Sequence, residues 1–259
     1  MRVGLLGDAH GNHAWIKFAV REFHARGITT VIQVGDLGVS RGVRESRRWD
    51  RTDRYLRTHG ITMLVAPGNH EDYDHIDSLS VGDDGWLHFR PNILLAPRGL
   101  RTTMGGRSFV WLGGAGSVDR TLRLEWENNA DAPRYWWPQE AIDDADVART
   151  AAGGHADVMV GHEAPARVQT IASRLRGSGG FRREDIEYAD RVRDKYMEAF
   201  MQVEPALALH GHYHFAVNED VGFGAFSTHV FGLACDGAPY AIGELELDTL
   251  TPAFITGPR

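Results

Sequence analysis

The chain has one cysteine, Cys235, in 259 residues. It therefore forms no internal disulfide, and a zinc site built from several thiolates is excluded. No apolar run approaches the ~18 residues of a membrane-spanning helix, and no basic stretch followed by an apolar one marks a secretion signal. An excess of positive charge is missing too: 28 Lys and Arg stand against 35 Asp and Glu, a net charge of −7. A global basic field for gripping a nucleic-acid polymer or an anionic membrane is thus absent. Low-complexity linkers and internal repeats are also lacking. These absences lead to the expectation of a cytoplasmic enzyme or binding protein.

What is present is ordinary for a folded domain, with one exception. Hydrophobic residues make up 42% and charged residues 24%, close to a globular average. The length suits one core, and residues 1–259 are expected to form a single domain. The exception is glycine, with 30 residues against the roughly 7% usual in proteins, which points to tight turns and close backbone approaches.

Val3 to Gly7 reads as a buried strand, followed by a helix from Asn12 to about Arg26 whose apolar positions Trp15, Ile16, Ala19, Val20 and Phe23 recur at three- and four-residue spacings. Thr29 to Val34 is a second strand, Arg44 to His59 a polar helix, and Ile61 to Ala66 a third strand. This order predicts parallel pairing with right-handed crossovers. Further on, Ile93 to Pro97, Arg107 to Leu112, Asp157 to Gly161 and Leu207 to Gly211 read as strands, and Phe181 to Val203 as a helix. Trp126 to Glu140 reads as loop. Phe215 to Leu247 reads as antiparallel strands with turns at Asp220, Gly237 and Asp248. The expectation is an α/β protein with two sheets and helices outside.

One pattern recurs five times: a strand, a glycine at its end, then polar side chains. The runs are Gly7-Asp8-Ala9-His10, Gly35-Asp36, Gly68-Asn69-His70-Glu71, Gly161-His162 and Gly211-His212-Tyr213-His214. Ligand sites collect at the carboxyl ends of strands in α/β sheets. Carboxylate, neutral imidazole and amide oxygen are the donors a divalent ion of mixed N/O preference takes. Asp8 and His10 can reach one ion from a turn, His212 and His214 can serve two neighbouring ions, and Asp36, standing alone, suits a bridge. Two ions ~3.5–4 Å apart make a clamp for phosphoryl chemistry. Each block alone is ordinary turn chemistry; the ordered set of five is not.

As a set, the blocks resemble those of the calcineurin-like metallophosphoesterase superfamily, and they span residues 7–214. The resemblance implies a four-layer α/β/β/α sandwich with two mixed sheets and a dimetal site at the strand C-terminal ends. It implies that Asp8, His10, Asp36 and His214 hold one ion, that Asp36, Asn69, His162 and His212 hold the other, and that Asp36 bridges. It places His70 on the substrate rather than on metal, stabilising phosphoryl charge or protonating the leaving oxygen while a metal-bridging hydroxide attacks in line. Manganese leads among the two divalent ions, with iron, zinc or cobalt as alternatives.

Protein Ser/Thr phosphatases of that superfamily continue their second block G-D-x-V-D-R-G; here Gly35-Asp36-Leu37-Gly38-Val39-Ser40-Arg41-Gly42 lacks the second Asp and is one residue longer. The expected activity is therefore that of a small phosphodiesterase acting on small phosphodiester or nucleotide substrates, 2′,3′- or 3′,5′-cyclic nucleotides and aryl diesters. A phosphomonoesterase or protein phosphatase is the alternative, and a non-catalytic scaffold a further one. The oligomeric state stays open.

Candidate substrate contacts are Arg120 and Arg123 after the Gly-rich stretch, or else these belong to a solvated loop. Tyr213 faces either pocket or core. Trp136 and Trp137 either stack on a base or pack. Glu71 either orients His70 or caps a helix. His13 and His210 are expected to be structural and Cys235 a small buried hydrophobe. The arginine-rich segment Arg41 to Arg57 is either a solvated helix face with ion pairs or a local nucleic-acid patch. The basic run Arg174 to Arg183 either closes over a phosphate or is surface loop.

Overall fold

The structure, a computed structural model, describes residues 1–128, 132–176 and 179–256. Residues 129–131 of the segment read as loop, and residues 177–178 of the basic run, lie outside the described residues. The chain opens with β1 (Arg2–Leu6), α1 (His13–Ala25), β2 (Thr30–Gln33), α2 (Val43–Thr58) and β3 (Thr62–Val65), then α3 (Tyr73–Ile76), β4 (Leu87–Arg90) and β5 (Ile93–Leu95). It continues through β6 (Arg101–Met104), β7 (Arg107–Leu112), α4 (Arg120–Glu127), α5 (Asp144–Ala151), β8 (Val158–Gly161), α6 (Gln169–Leu175), α7 (Arg183–Val203) and β9 (Leu207–His210). It ends with β10 (Val217–Gly222), β11 (Ser227–Gly232), β12 (Ile242–Glu246) and β13 (Thr251–Phe254).

The strands form two mixed sheets, ordered β13-β12-β1-β2-β3-β5-β4 and β10-β11-β9-β8-β7-β6. In the first, β1, β2 and β3 run parallel as their crossover helices require. In the second, β7, β8 and β9 run parallel. Successive side chains of a strand point to opposite faces, and here both faces are apolar. Leu5, Ile32, Leu64, Val158, Val160, Leu207 and Leu209 fill the space between the sheets. Leu6, Val31 and Met63 turn outward onto Ile16, Val20, Phe23, Trp49 and Leu56 of α1 and α2. Met159 and Ala208 turn outward onto Val192, Tyr196 and Phe200 of α7. Helix, sheet, sheet, helix is the resulting layering.

Asn12 caps α1, its side-chain oxygen accepting from the Trp15 N–H at 3.1 Å. Two expectations are corrected. Asp220 is no turn residue: it lies inside β10, opposite His229 of β11, and the reversal falls at residues 223–226. β10 is an edge strand, where an Asp side chain is free to project into solvent while Val217 and Val221 are buried. The C-terminal strands are also not all antiparallel, since β11 pairs in parallel with β9. The helix α4, overlapping the segment read as loop, and the short α5 and α6 carry too few turns for a clear periodicity.

Candidate functional site

All five blocks sit at strand carboxyl ends, after β1, β2 and β3 in one sheet and after β8 and β9 in the other. Two of their glycines show why the position takes no side chain. A Cβ on Gly68 would stand 2.2 Å from Asp36 Oδ1, and one on Gly211 2.1 Å from Asp8 Oδ1. The loops must pass this close for their side chains to meet. Four non-glycine residues of the blocks adopt left-handed backbone: His10 (φ 45°), Asp36 (φ 52°), His212 (φ 68°) and His214 (φ 58°). Such conformations cost about 1–3 kcal/mol each and collect at functional sites.

The structure brings all eight side chains of the motif set to one place. Asp8, His10, Asp36 and His214 offer donor atoms that lie within 4.8 Å of one another. His10 Nε2 and His214 Nε2 stand 3.1 Å apart, and His214 Nε2 is 3.3 Å from Asp8 Oδ2. On the other side of Asp36, His162 Nε2 is 3.3 Å from Asp36 Oδ1 and 3.0 Å from Asn69 Oδ1. The His162 and His212 rings meet edge to face at 5.0 Å. Asp8, Asp36, Asn69 and His162 are buried, whereas His10 and His214 are exposed. His70, 38% exposed, places Nε2 4.0 Å from Asp36 Oδ2 while its backbone N–H donates to Asp36 Oδ1 at 2.8 Å.

This donor set fits cations. The Nδ1 of His162 is 2.7 Å from the Val34 carbonyl, which only accepts, so the ring's Nδ1–H donates there. Nε2 then presents a lone pair to two oxygens, an arrangement that needs a proton or a metal ion. Neighbouring ligand atoms ~2.1 Å from a shared ion stand about 3 Å apart, the separation seen here. Asp36 Oδ2, buried, has no hydrogen-bond partner among the described residues, and a buried orphan carboxylate oxygen is costly without a cation. The protein's own electrostatics say the same. Burial opposes charge on His162, yet the Asp36 and Asp8 carboxylates raise its imidazole to about 10. Burial likewise opposes charge on Asp36, yet His162 and His70 hold it well below the usual range. His70 is pushed down to about 4 by burial, which outweighs the pull of Asp36.

Three buried carboxylates hold the loops in place. Glu71 accepts the backbone N–H groups of Leu37, Gly38 and Val39 at 2.7, 3.0 and 2.6 Å, so it shapes the loop after Asp36. Neither expectation for Glu71, orienting His70 or capping a helix, describes this contact. Burial, together with Asp36, pushes its carboxyl up to about 7. Glu140 receives the Ser117 hydroxyl at 2.6 Å, the Ser117 N–H at 2.8 Å and the Tyr188 hydroxyl at 3.0 Å. With its one proton given to Glu140, the Ser117 oxygen accepts from Asn69 Nδ2 at 2.9 Å. That contact turns Asn69 Oδ1 toward His162. Glu163 accepts the Tyr213 hydroxyl, which in turn accepts from Arg193 Nε at 3.1 Å. Burial would raise Glu163; the Arg193 guanidinium, 3.6 Å away, holds it below its ordinary value. The left-handed turn carrying His212 and His214 is thereby tied to the loop carrying His162.

Ser117, Glu140, Glu163 and Arg193 went unread in the sequence. Glu163 adjoins His162 and Ser117 closes the Gly113–Gly116 run, so position was a signal for those two. Nothing local marks Glu140 or Arg193.

A cavity of about 500 Å³ opens on the cluster, lined by Asp36, Asn69, His70, His212 and His214 and, opposite, by α7. Tyr213 is among the cavity-lining residues, packs against the buried cluster of the second sheet, and turns its hydroxyl to buried Glu163. Arg120 does not line the cavity: it pairs with Asp185 at 3.2 Å and lies over the Tyr188 ring. Arg123 is buried behind the wall, its guanidinium on His70 Nε2, on the Asn69 carbonyl at 3.3 Å and on Asp119 at 2.9 Å. Trp137 packs in the core, and Trp136 packs edge to face on Tyr188. His13 is bonded to Thr52 and His210 is buried. Cys235 is half-buried rather than buried. The Arg41–Arg57 segment is largely a helix face with ion pairs, Arg48 to Glu45 and Arg41 to Asp72 and Asp74.

Comparison with known proteins agrees. The sequence profile of calcineurin-like phosphoesterases matches residues 1–216. No protein of curated function matches the chain by sequence. Among solved structures, a Thermus thermophilus protein superposes with a TM-score of 0.55 at 12% identity, covering 97% of this chain and 96% of its own. A dimetal phosphatase from Danio rerio superposes with a TM-score of 0.54 at 14% identity, covering 95% of this chain and 92% of its own. At these identities the likeness is one of fold.

Proposed function

The chain belongs to the calcineurin-like phosphoesterase family, and from that premise we propose that it hydrolyses small phosphodiesters, cyclic nucleotides and aryl diesters among them, with two divalent ions. The single observation that carries this is Asp36: buried, with Oδ1 3.3 Å from His162 Nε2, a carboxylate oxygen clustered with donor atoms of Asp8, His10 and His214, and Oδ2 lacking a hydrogen-bond partner among the described residues. Asp8, His10, Asp36 and His214 hold one ion in this reading, and Asp36, Asn69, His162 and His212 the other. Bound there, the ions supply Lewis-acid charge to the phosphoryl group and lower the pKa of the attacking water. Manganese suits the mixed N/O donors, as do iron, zinc and cobalt.

The protein's own groups have distinct tasks. His162, its Nδ1–H fixed on Val34, keeps Nε2 available as a donor to metal. His70 stands at the cavity wall beside Asp36, tied to it through its own N–H, and faces the phosphoryl group to stabilise charge that develops on its oxygens or on the leaving group. Arg123 donates to Nε2 of that ring, which leaves Nδ1–H as the hydrogen the neutral ring can offer. Ser117 orients Asn69. Ser117→Ala removes the acceptor for the Asn69 amide and is expected to weaken Mn²⁺ retention about 10–100-fold, read from a metal titration followed by thermal unfolding. An unchanged titration midpoint removes Ser117 from the site.

A protein-phosphatase activity fits less well. Where those enzymes place an Asp in support of their His, the longer loop here carries Ser40 between Val39 and Arg41, and the His70 ring meets a guanidinium instead. The pairing of β12 with β1 ties the C-terminal strands into the first sheet and supports residues 1–259 as one catalytic domain. No described helix is long and apolar enough to cross a membrane.

The test is hydrolysis of bis(4-nitrophenyl) phosphate with Mn²⁺, beside protein treated with EDTA. We expect activity that the chelator abolishes and Mn²⁺ restores. Activity indifferent to the chelator overturns the metal mechanism, and inactivity with every divalent ion favours a non-catalytic scaffold. A parallel panel of 2′,3′-cyclic, 3′,5′-cyclic, linear dinucleotide and monoester substrates ranks the substrate class.

A further inference from the structure

The cavity beside the metal cluster has two unlike halves. One is the polar floor of Asp36, Asn69, His70, His212 and His214; the other includes Val118, Leu175, Phe181, Ile186 and Ala189. Ile186, Ala189, Asp190 and Arg193 recur at three- and four-residue spacings and form one stripe of α7. Leu175, Phe181 and Ile186 are 38%, 47% and 41% exposed, although large apolar side chains gain from burial. Three such side chains converging on one concave site mark a surface kept for a ligand.

The charges on that wall are already matched. Asp119 pairs with Arg123 at 2.9 Å, and Asp190 with Arg193 at 3.3 Å. Arg193 is further engaged by Tyr213 and Glu163. A second phosphate on the substrate would meet two carboxylates there and a guanidinium committed elsewhere.

We propose that the apolar wall of Phe181, Ile186 and Leu175 holds the ester group of the substrate, and that this group is uncharged and carries a flat apolar ring, aryl or nucleoside. This rests on the phosphoesterase reading and narrows it: the metal cluster takes the phosphoryl end, and the wall formed by the end of α6, Phe181 and the start of α7 selects what is attached to it. Phe181 supplies the aromatic face on which a ring stacks. A cavity of about 500 Å³ accommodates one such ring with its phosphate.

The test compares two ligands with an unhydrolysable P–C bond, phenylphosphonate and methylphosphonate, titrated calorimetrically into Mn²⁺-loaded protein. They share the phosphoryl end and differ in the ring alone. Wild type is expected to bind phenylphosphonate about tenfold more tightly. The double variant Phe181→Ala, Ile186→Ala alters exposed side chains, so folding is preserved; it is expected to lose that preference while binding methylphosphonate as before. A preference that survives in the double variant, or is absent in wild type, overturns the inference and leaves the metal reading standing. If neither phosphonate binds in a Mn²⁺-dependent way, the phosphoesterase reading itself fails, and the inference with it.

Discussion

Asp36→Ala loses the thermal stabilisation that Mn²⁺ confers on the wild-type protein, and its phosphodiesterase activity falls on the order of 10³-fold or more. The expectation follows from position. Asp36 is the one carboxylate shared by both donor sets, within reach of His162 on one side and of the Asp8, His10 and His214 group on the other. In the proposed reading its removal would dismantle both metal sites at once, and a metal clamp contributes several kcal/mol to phosphoryl transfer, at about 1.4 kcal/mol per tenfold. Ligand binding to the folded state raises stability as the logarithm of one plus the ratio of free ligand to Kd, so the shift in Tm with added Mn²⁺ reads metal binding without reference to turnover. Metal analysis of the dialysed variant is the second measurement. Should Asp36→Ala retain two ions per chain, the bridging role is wrong. If it retains one, Asp36 serves a single site.

His70→Ala separates from Asp36→Ala in the opposite way. Its Mn²⁺-dependent rise in Tm is expected to match wild type, while kcat falls about 10²–10⁴-fold, the range for a group acting on the transition state by charge or proton transfer. The structural ground is that His70 lies on the cavity wall, with its ring nitrogen 4.0 Å from Asp36 Oδ2 and contacted by the buried Arg123. Loss of the metal-dependent Tm shift in this variant would make His70 a ligand and remove it from the substrate. An unaltered kcat would leave it without a role in the reaction.

The donor chemistry was legible because it is local. Each block is a buried strand, a glycine and a polar residue within a few positions, and the strand's carboxyl end decides where the polar residue goes. Asp8, Asp36, Asn69, His162 and His212 stand out only because five such blocks occur in order, each alone being ordinary turn chemistry. The glycines declare themselves for a related reason: at Gly68 and Gly211 a neighbouring carboxylate occupies the space a Cβ would fill. The fold was legible on the same terms, since β1, β2 and β3 alternate with full-length helices. The Asp220 turn was misplaced because Asp is as acceptable on the outer face of an edge strand as in a turn, and sheet order is not visible in the string.

What the string determined, then, is that candidate donor side chains fall at strand ends, because backbone direction and glycine geometry act over a few residues. Packing alone settled the rest. Ser117 reaches Asn69 through a proton given to Glu140, 23 positions away. Tyr213 ties Glu163 to Arg193 across three separate elements. The apolar wall exists only because Leu175 of α6, Phe181 and the Ile186–Ala189 stripe of α7 come together beside the donor cluster. Such contacts are made by segments meeting in space after both sheets have formed, and no local rule of sequence specifies which face of a helix will look into a cavity and which into the core.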